Sequence, residues 1–144
     1  MTGPLLLGGT VIAATVVIQT FGLILLTDFV SRLVPAVTRR FGEAGKMVTI
    51  TTTVLGLFFI HLLQVHMWAL VFWGQRDITD FETALYFSMV TFSTLGYGDI
   101  LVAPHWRILA GLEGMNGFLL IGWSTAYLVS VSSRFGPFRP GTIF

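Results

Sequence analysis

Cysteine is absent from the 144-residue sequence, and charged residues make up only 10% of it. The lack of cysteine excludes disulfide bonds, thiolate metal sites and cysteine nucleophiles. Soluble domains carry about a quarter charged residues, whereas 54% of this chain is hydrophobic and its mean hydropathy is +0.83. The formal net charge of +1 gives no indication of nucleic-acid binding. The composition therefore predicts an integral membrane protein.

Three stretches are long and apolar enough to cross a bilayer, which takes about 20 residues each. They are residues 4–27, 47–73 and 108–133. The first stretch has no basic leader, and no small-residue cleavage site follows it. We therefore interpret it as a membrane helix and not as a signal peptide.

Basic residues are concentrated in two segments outside these stretches. Residues 31–46 and the chain after Val131 hold six of the eight Lys and Arg residues, namely Arg32, Arg39, Arg40, Lys46, Arg134 and Arg139. The positive-inside rule places both segments in the cytoplasm. The amino terminus and the chain between the second and third stretches are then expected outside.

A shorter apolar run, residues 81–92, lies between the second and third stretches. It is too short to cross a bilayer, and Thr79 with Glu82 fits a capping box at its start. We expect a helix that enters the membrane halfway from the outside. Its carbonyl end would carry the partial negative charge that favours a cation.

The six residues 94–99, which we call the filter segment, read Thr94-Leu95-Gly96-Tyr97-Gly98-Asp99. Glycine adopts positive φ freely, so glycines at alternate positions allow successive carbonyls to turn to one side. Four copies around an axis would stack rings of oxygens that replace the water shell of a cation. The segment resembles the Thr-Val-Gly-Tyr-Gly-Asp selectivity filter of potassium channels, with Leu95 replacing Val or Ile.

The resemblance covers residues 47–131 and implies a potassium-channel pore domain. Its parts would be an outer helix at 47–73, a pore helix at 80–92, the filter at 94–99 and an inner helix at 107–131. Residues 1–30 would add a peripheral transmembrane helix, residues 31–46 a basic cytoplasmic linker near anionic lipid, and residues 132–144 a short cytoplasmic tail. The expected fold is an all-α membrane protein with three transmembrane helices, a re-entrant pore helix and a filter loop.

The resemblance also implies an assembly and a location. One filter copy per chain demands four chains, so we expect a homotetramer in a prokaryotic inner membrane, surrounded by lipid. The expected activity is passive K+ conduction, with no enzymatic step and no organic cofactor. No ligand-binding domain is expected in the short tail, and the sequence indicates no activating stimulus.

Particular residues acquire roles through the same resemblance. K+ would bind at the carbonyls of Thr94, Leu95, Gly96 and Tyr97 and at the Thr94 hydroxyl, with Gly98 completing the ion-binding filter. Support for the filter is expected from Asp99, Tyr86, Thr91, Ser93 and Glu113. Tyr86 falls where it can bond Asp99, whereas Phe87 stands where a second donor would normally bond the filter tyrosine.

Gly117 matches the hinge glycine of the inner helix in this family. Phe118, Ile121, Thr125 and Val129 would then line the cavity below the filter. Gly111 and Gly114 are small residues of the kind that allow close helix packing in membranes. Gly117 is open to either interpretation, as a bending point or as a packing site.

Four polar side chains fall within the predicted spans. Helical rise places Glu113 at the depth of His66, and Asn116 at the depth of Gln64. A carboxyl group at such depth must be protonated, hydrogen-bonded or paired. We expect Glu113 to hold the pore helix in place; a proton-sensing role and a direct ion contact are the alternatives.

Three other functions remain open at this stage. Leu95 or Phe87 could loosen the filter and give a poorly selective monovalent cation channel. The chain could be a non-conducting regulatory subunit. It could also be a small redox membrane protein that uses His61 and His66, although a spacing of five places these two side chains on different helix faces.

Overall fold

The computed structural model describes residues 2–135, which form the four helices α1 Thr2–Phe41, α2 Ala44–Gly74, α3 Phe81–Phe92 and α4 Arg107–Phe135. Three of them, α1, α2 and α4, are long and apolar enough to cross a membrane. The 12 residues of α3 reach about 18 Å, which is too short for a hydrocarbon core of about 30 Å. The predicted all-α class is confirmed. Of the predicted tail, residues 136–144, including Arg139, lie outside the described part.

The first helix is longer than the sequence predicted. Helix α1 continues to Phe41 and α2 begins at Ala44, so the linker predicted at 31–46 is largely helical. Pro35 lies inside α1 and does not end it. A proline removes one helical hydrogen bond, and a helix can continue past it with a kink. The chain turns at Gly42 instead, where a φ of +54° suits glycine and the N–H donates to Thr38 O at 2.9 Å, as at many helix ends.

The start of α3 also differs from the prediction by one residue. Asp80 is the N-cap, and its Oδ2 accepts from Thr83 N at 2.8 Å and from Thr83 Oγ1 at 2.9 Å. The capping box predicted at Thr79 and Glu82 is therefore wrong. An aspartate caps a helix at least as well as a threonine, and its negative charge is favoured at the helix amino end.

The described residues fall into two compact units. One consists of the chain up to Gln19 together with residues 61–121, and it contains α3 and the filter segment. Its core is built from aromatic and aliphatic side chains of all four helices, among them Val11, Trp68, Phe72, Phe87 and Leu109. Phe72 and Phe87 meet edge to face with ring centroids 5.0 Å apart, a favourable aromatic geometry.

The second unit consists of residues 20–60 together with the chain from Gly122. A side chain on Gly22 would come within 2.8 Å of the Ile60 side chain. Small residues let α1 and α2 approach closely here, as in many membrane helix pairs. Thr27 Oγ1 and Tyr127 Oη lie 2.9 Å apart, which adds a hydrogen bond between α1 and α4.

We predict that Asp80→Ala lowers the stability of the purified protein more than Thr79→Ala does. The backbone N–H and then the hydroxyl of Thr83 hold the pKa of Asp80 below its ordinary value of 3.8. Because the folded-state pKa is the lower one, the stabilisation is complete above about pH 4 and is lost as the pH falls through the folded-state value. Thermal unfolding of both variants and the unmodified protein at a series of pH values measures this. A cost of Asp80→Ala that is independent of pH would contradict it.

Candidate functional site

The filter segment is attached to the end of α3 by backbone hydrogen bonds. Ser93 N donates to Met89 O at 3.1 Å and Thr94 N to Thr91 O at 3.0 Å. The carbonyl oxygen of Val90 then accepts two further bonds, from Leu95 N at 2.9 Å and from Gly96 N at 3.2 Å. The first residues of the segment are thus bound to the carbonyl end of α3.

These two bonds determine where the adjacent carbonyl groups point. The peptide bonds here are trans, so the C=O of each peptide unit points opposite to its N–H. The N–H groups of Leu95 and Gly96 face the helix, and the carbonyl oxygens of Thr94 and Leu95 therefore point away from it. Two successive carbonyls lie on the same side.

The sign of φ alternates along the filter segment. Thr94, Gly96 and Gly98 have positive φ values of 61°, 60° and 74°, whereas Leu95 and Tyr97 do not. Glycine takes this conformation at little cost, but a residue with a Cβ is strained there. The alternation predicted from the two glycines is present and begins two residues earlier, at a threonine.

All six residues of the filter segment are exposed in the single chain. The side chains of Leu95 and Tyr97 are 56% and 67% exposed. A side chain at position 95 that points away from the carbonyls would be expected to pack behind the filter segment. Packing of this kind is not found among the described residues of one chain. Surfaces that would surround the filter segment would have to come from other chains.

Two aspartates, one before α3 and one at the end of the filter segment, accept hydrogen bonds. Tyr86 Oη donates to Asp99 Oδ2 at 2.7 Å, as the resemblance implied. Phe87, which has no donor, packs against Phe72 instead. Ala103 N donates to both carboxylate oxygens of Asp77 at 3.2 Å. This contact was not predicted from the sequence, where the signal is an aspartate in a turn, a position where its carboxylate often accepts from backbone.

Ser93 and Thr91 lie at the junction of α3 and the filter segment. The Ser93 hydroxyl donates to Met89 O at 2.6 Å, one turn back in the helix. Thr91 lines a 420 Å³ groove together with Thr94, Gly96, Gly111, Gly114, Met115 and Phe118. A Cβ on Gly111 would meet open space in this groove. The close packing predicted for Gly111 is therefore not found within the described chain.

Gly117 packs directly against the carboxyl end of α3. A Cβ at this position would overlap the carbonyl oxygen of Phe92 and lie 2.7 Å from its carbonyl carbon. Backbone cannot give way as a flexible side chain can, so only glycine fits. Helix α4 runs through this position without interruption. The structure supplies a packing reason for Gly117, while its role as a hinge remains a prediction.

The residues predicted to line the cavity share one face of α4. Their spacing of three or four places them in a stripe along the helix, and all four are exposed: Phe118, Ile121, Thr125 and Val129. An exposed stripe of this kind is compatible with a cavity lining. The ion pathway itself would require further chains.

Glu113 is fully buried, and neither carboxyl oxygen has a hydrogen-bond partner of regular geometry among the described residues. The polar side chain facing it is Ser88 on α3, whose hydroxyl is likewise buried without such a partner. His66, which helical rise places at the same depth as Glu113, is directed elsewhere, with Nδ1 2.7 Å from Leu62 O. Equal depth on two helices did not bring these side chains together, because they lie on different faces.

The two histidines do not form a metal site. Within residues 2–135, no cluster of three or more His, Asp or Glu side chains could hold a metal ion. His61 Nδ1 lies 3.0 Å from Gln64 Oε1, whereas His66 Nδ1 lies near Leu62 O. The two rings therefore have different partners.

Comparison with known families agrees with this geometry. A family model described as an ion channel matches residues 58–134, more than half of the 144 residues. The match includes the second half of α2, all of α3, the filter segment and nearly all of α4. The chain therefore belongs to this ion channel family, whose pore has two transmembrane helices, and it carries α1 in addition. No curated protein and no solved structure matches it.

We predict that Gly117→Ala severely destabilises the protein or abolishes its activity, since the new methyl group has no space beside Phe92. Overpacking of this kind costs about 1–3 kcal/mol and more where backbone must shift. Gly122→Ala is the matched control on α4, because a Cβ there meets nothing within 4 Å. Thermal unfolding and channel current measure the difference. Equal effects of the two substitutions would show that the contact with Phe92 does not matter.

We further predict that Glu113→Ala is much more damaging than Glu113→Gln. Alanine leaves a cavity at a fully buried position and leaves the Ser88 hydroxyl with no polar group opposite it. Glutamine keeps the shape and a polar head group opposite Ser88. Unfolding measurements and currents over a range of pH separate the roles: loss of a pH response in Glu113→Gln would indicate proton sensing. Equally mild effects of both substitutions would exclude both roles.

Proposed function

We propose that the protein is a potassium-selective channel that conducts K+ passively through a fourfold filter of backbone carbonyls. The proposal rests chiefly on the backbone of the filter segment. Its φ alternates in sign at Thr94, Gly96 and Gly98, and the paired bonds to Val90 O turn two successive carbonyls away from the pore helix. K+ would bind at the carbonyls of Thr94, Leu95, Gly96 and Tyr97.

A homotetramer is the assembly that this geometry favours. The filter segment is non-helical and exposed in one chain, and it follows a helix too short to cross the bilayer. Backbone of this kind is tolerated at membrane depth only when it is buried in protein or lines a water-filled path. Four copies around one axis would meet both conditions and close the carbonyls into rings.

The basic residues support the orientation that we propose. Arg39 and Arg40 lie in the last turn of α1, and Arg134 in the last turn of α4. A cytoplasmic location for both helix ends satisfies the positive-inside rule and places these side chains near anionic lipid. The amino terminus and the filter segment would then face the outside of a prokaryotic inner membrane.

Two features favour a poorly selective cation channel as the second candidate. Phe87 packs on Phe72 and has no donor with which to hold Tyr97. Leu95 adds bulk at a position that resembles a Val or Ile site. Both changes would lower the rigidity of the filter but leave the number of carbonyl oxygens unchanged. Conduction would then survive, while the selectivity for K+ over Na+ would weaken.

The experiment is the reversal potential of purified protein in planar bilayers with K+ on one side and Na+ on the other. We expect a potential that favours K+ strongly. Near-equal permeability would support the poorly selective channel, and absence of current a non-conducting subunit.

Gly96→Ala should abolish selective conduction, because a Cβ at a φ of +60° costs about 1–2 kcal/mol in each of four chains. Gly9→Ala is its control, because a Cβ at Gly9 meets nothing within 4 Å. Selective current that persists in Gly96→Ala would contradict the proposed filter.

A further inference from the structure

The amino-terminal part of α1 contacts the rest of its unit through buried polar side chains. Thr15 and Gln19 on α1 are fully buried, as is Gln64 on α2, and Asn116 on α4 is nearly so. Apolar contacts would suffice to dock a helix in a membrane, whereas buried polar groups must find partners at defined positions. These contacts therefore fix the register of α1 against the pore helices.

The first of two branches runs from α1 to the inner helix. Thr15 Oγ1 donates to Ile12 O at 2.8 Å and accepts from Asn116 Nδ2, also at 2.8 Å. Asn116 precedes Gly117, whose backbone packs against the carbonyl group of Phe92. The hydroxyl on α1 is thus linked in two steps to the last residue of the pore helix.

The second branch runs from α1 through the outer helix. Gln64 Nε2 donates to Gln19 Oε1 at 2.9 Å and to Thr15 O at 3.3 Å. Gln64 Oε1 can only accept, so His61 Nδ1 carries the proton of their 3.0 Å bond. The His61 ring in turn contacts the Phe92 ring, with centroids 5.9 Å apart. This branch also ends at Phe92.

Both branches thus converge on Phe92, one approaching its backbone and the other its ring. Phe92 is the last residue of α3 and is 2% exposed. Only Ser93 separates it from the filter segment, and the filter amides bond to the same helix end. A shift of Phe92 would therefore displace the carbonyls of Thr94 and Leu95.

We propose that α1 positions the selectivity filter: the Thr15–Asn116 and Gln19–Gln64–His61 contacts hold Phe92 in place from two sides. The inference rests on the proposed channel function and deepens it. Helix α1 is then not merely a peripheral membrane anchor. Thr15 and Gln19 are positioning residues, which act on the ions through the end of the pore helix.

The test compares two substitutions at Thr15. Thr15→Val keeps the shape but removes the hydroxyl that accepts from Asn116, whereas Thr15→Ser keeps the hydroxyl. We expect Thr15→Val to change the K+ to Na+ permeability ratio by about two- to thirtyfold and Thr15→Ser to restore it. Thr10→Val is the matched control on α1, since within residues 2–135 the exposed Thr10 hydroxyl bonds only to Leu7 O of its own helix.

A double variant separates positioning from mere stability. Thr15→Val with Asn116→Leu replaces both partners by apolar groups, which removes the cost of an unpaired amide and covers the case in which Thr15→Val alone fails to fold. We expect this protein to unfold at nearly the temperature of the unmodified one and still to show the altered permeability ratio. A stable double variant with unchanged selectivity would overturn the proposal.

Hydrogen exchange of the purified proteins distinguishes this inference from the proposed function. Thr15→Val and the double variant should exchange the amides of residues 92–96 faster than Thr10→Val does, whether or not any of them conducts. If the unmodified protein carries no current, the channel proposal fails, and faster exchange in these two variants would still support the positioning by α1. Unchanged exchange at these amides would overturn the positioning even if K+ currents are found.

Discussion

The carbonyl oxygen of Val90 is the acceptor on which the candidate site depends. A helix end leaves its last carbonyls without partners, and here one of them binds the N–H groups of both Leu95 and Gly96. The same two bonds that complete the end of α3 also orient the following peptide units. The direction of the Thr94 and Leu95 carbonyls is therefore a consequence of how α3 ends.

The position of that helix end is determined by its surroundings. Gly117 allows α4 to approach Phe92 at backbone distance, and the His61 ring contacts the Phe92 side chain. At the other end of α3, Asp80 caps the first turn and Tyr86 bonds Asp99 beyond the filter segment. A short helix whose two ends are both fixed by contacts of this kind can hold in place an adjacent backbone segment without regular secondary structure.

The buried polar side chains discussed above, in the unit that contains the filter segment, are of two kinds. Thr15, Gln19, Gln64 and Asn116 satisfy one another between helices, so their desolvation is offset and their geometry is specific. Glu113 and Ser88 face each other without a regular hydrogen bond. The first group suits a fixed scaffold, whereas the second has no regular hydrogen bonds that would fix its geometry.

The sequence by itself determined the membrane class, the three long helices, the short α3 and the filter segment, because these depend on hydrophobic length and on local backbone preference. It also indicated the Tyr86–Asp99 pair. It placed the end of the first helix 11 residues too early, because α1 continues beyond the apolar stretch, through Pro35, to Phe41. Only the tertiary structure decided which polar residues meet. Depth along a helix follows from counting residues, but the face that a side chain presents depends on how the helices pack. For that reason Asn116 binds Thr15 on α1, and Glu113 does not meet His66.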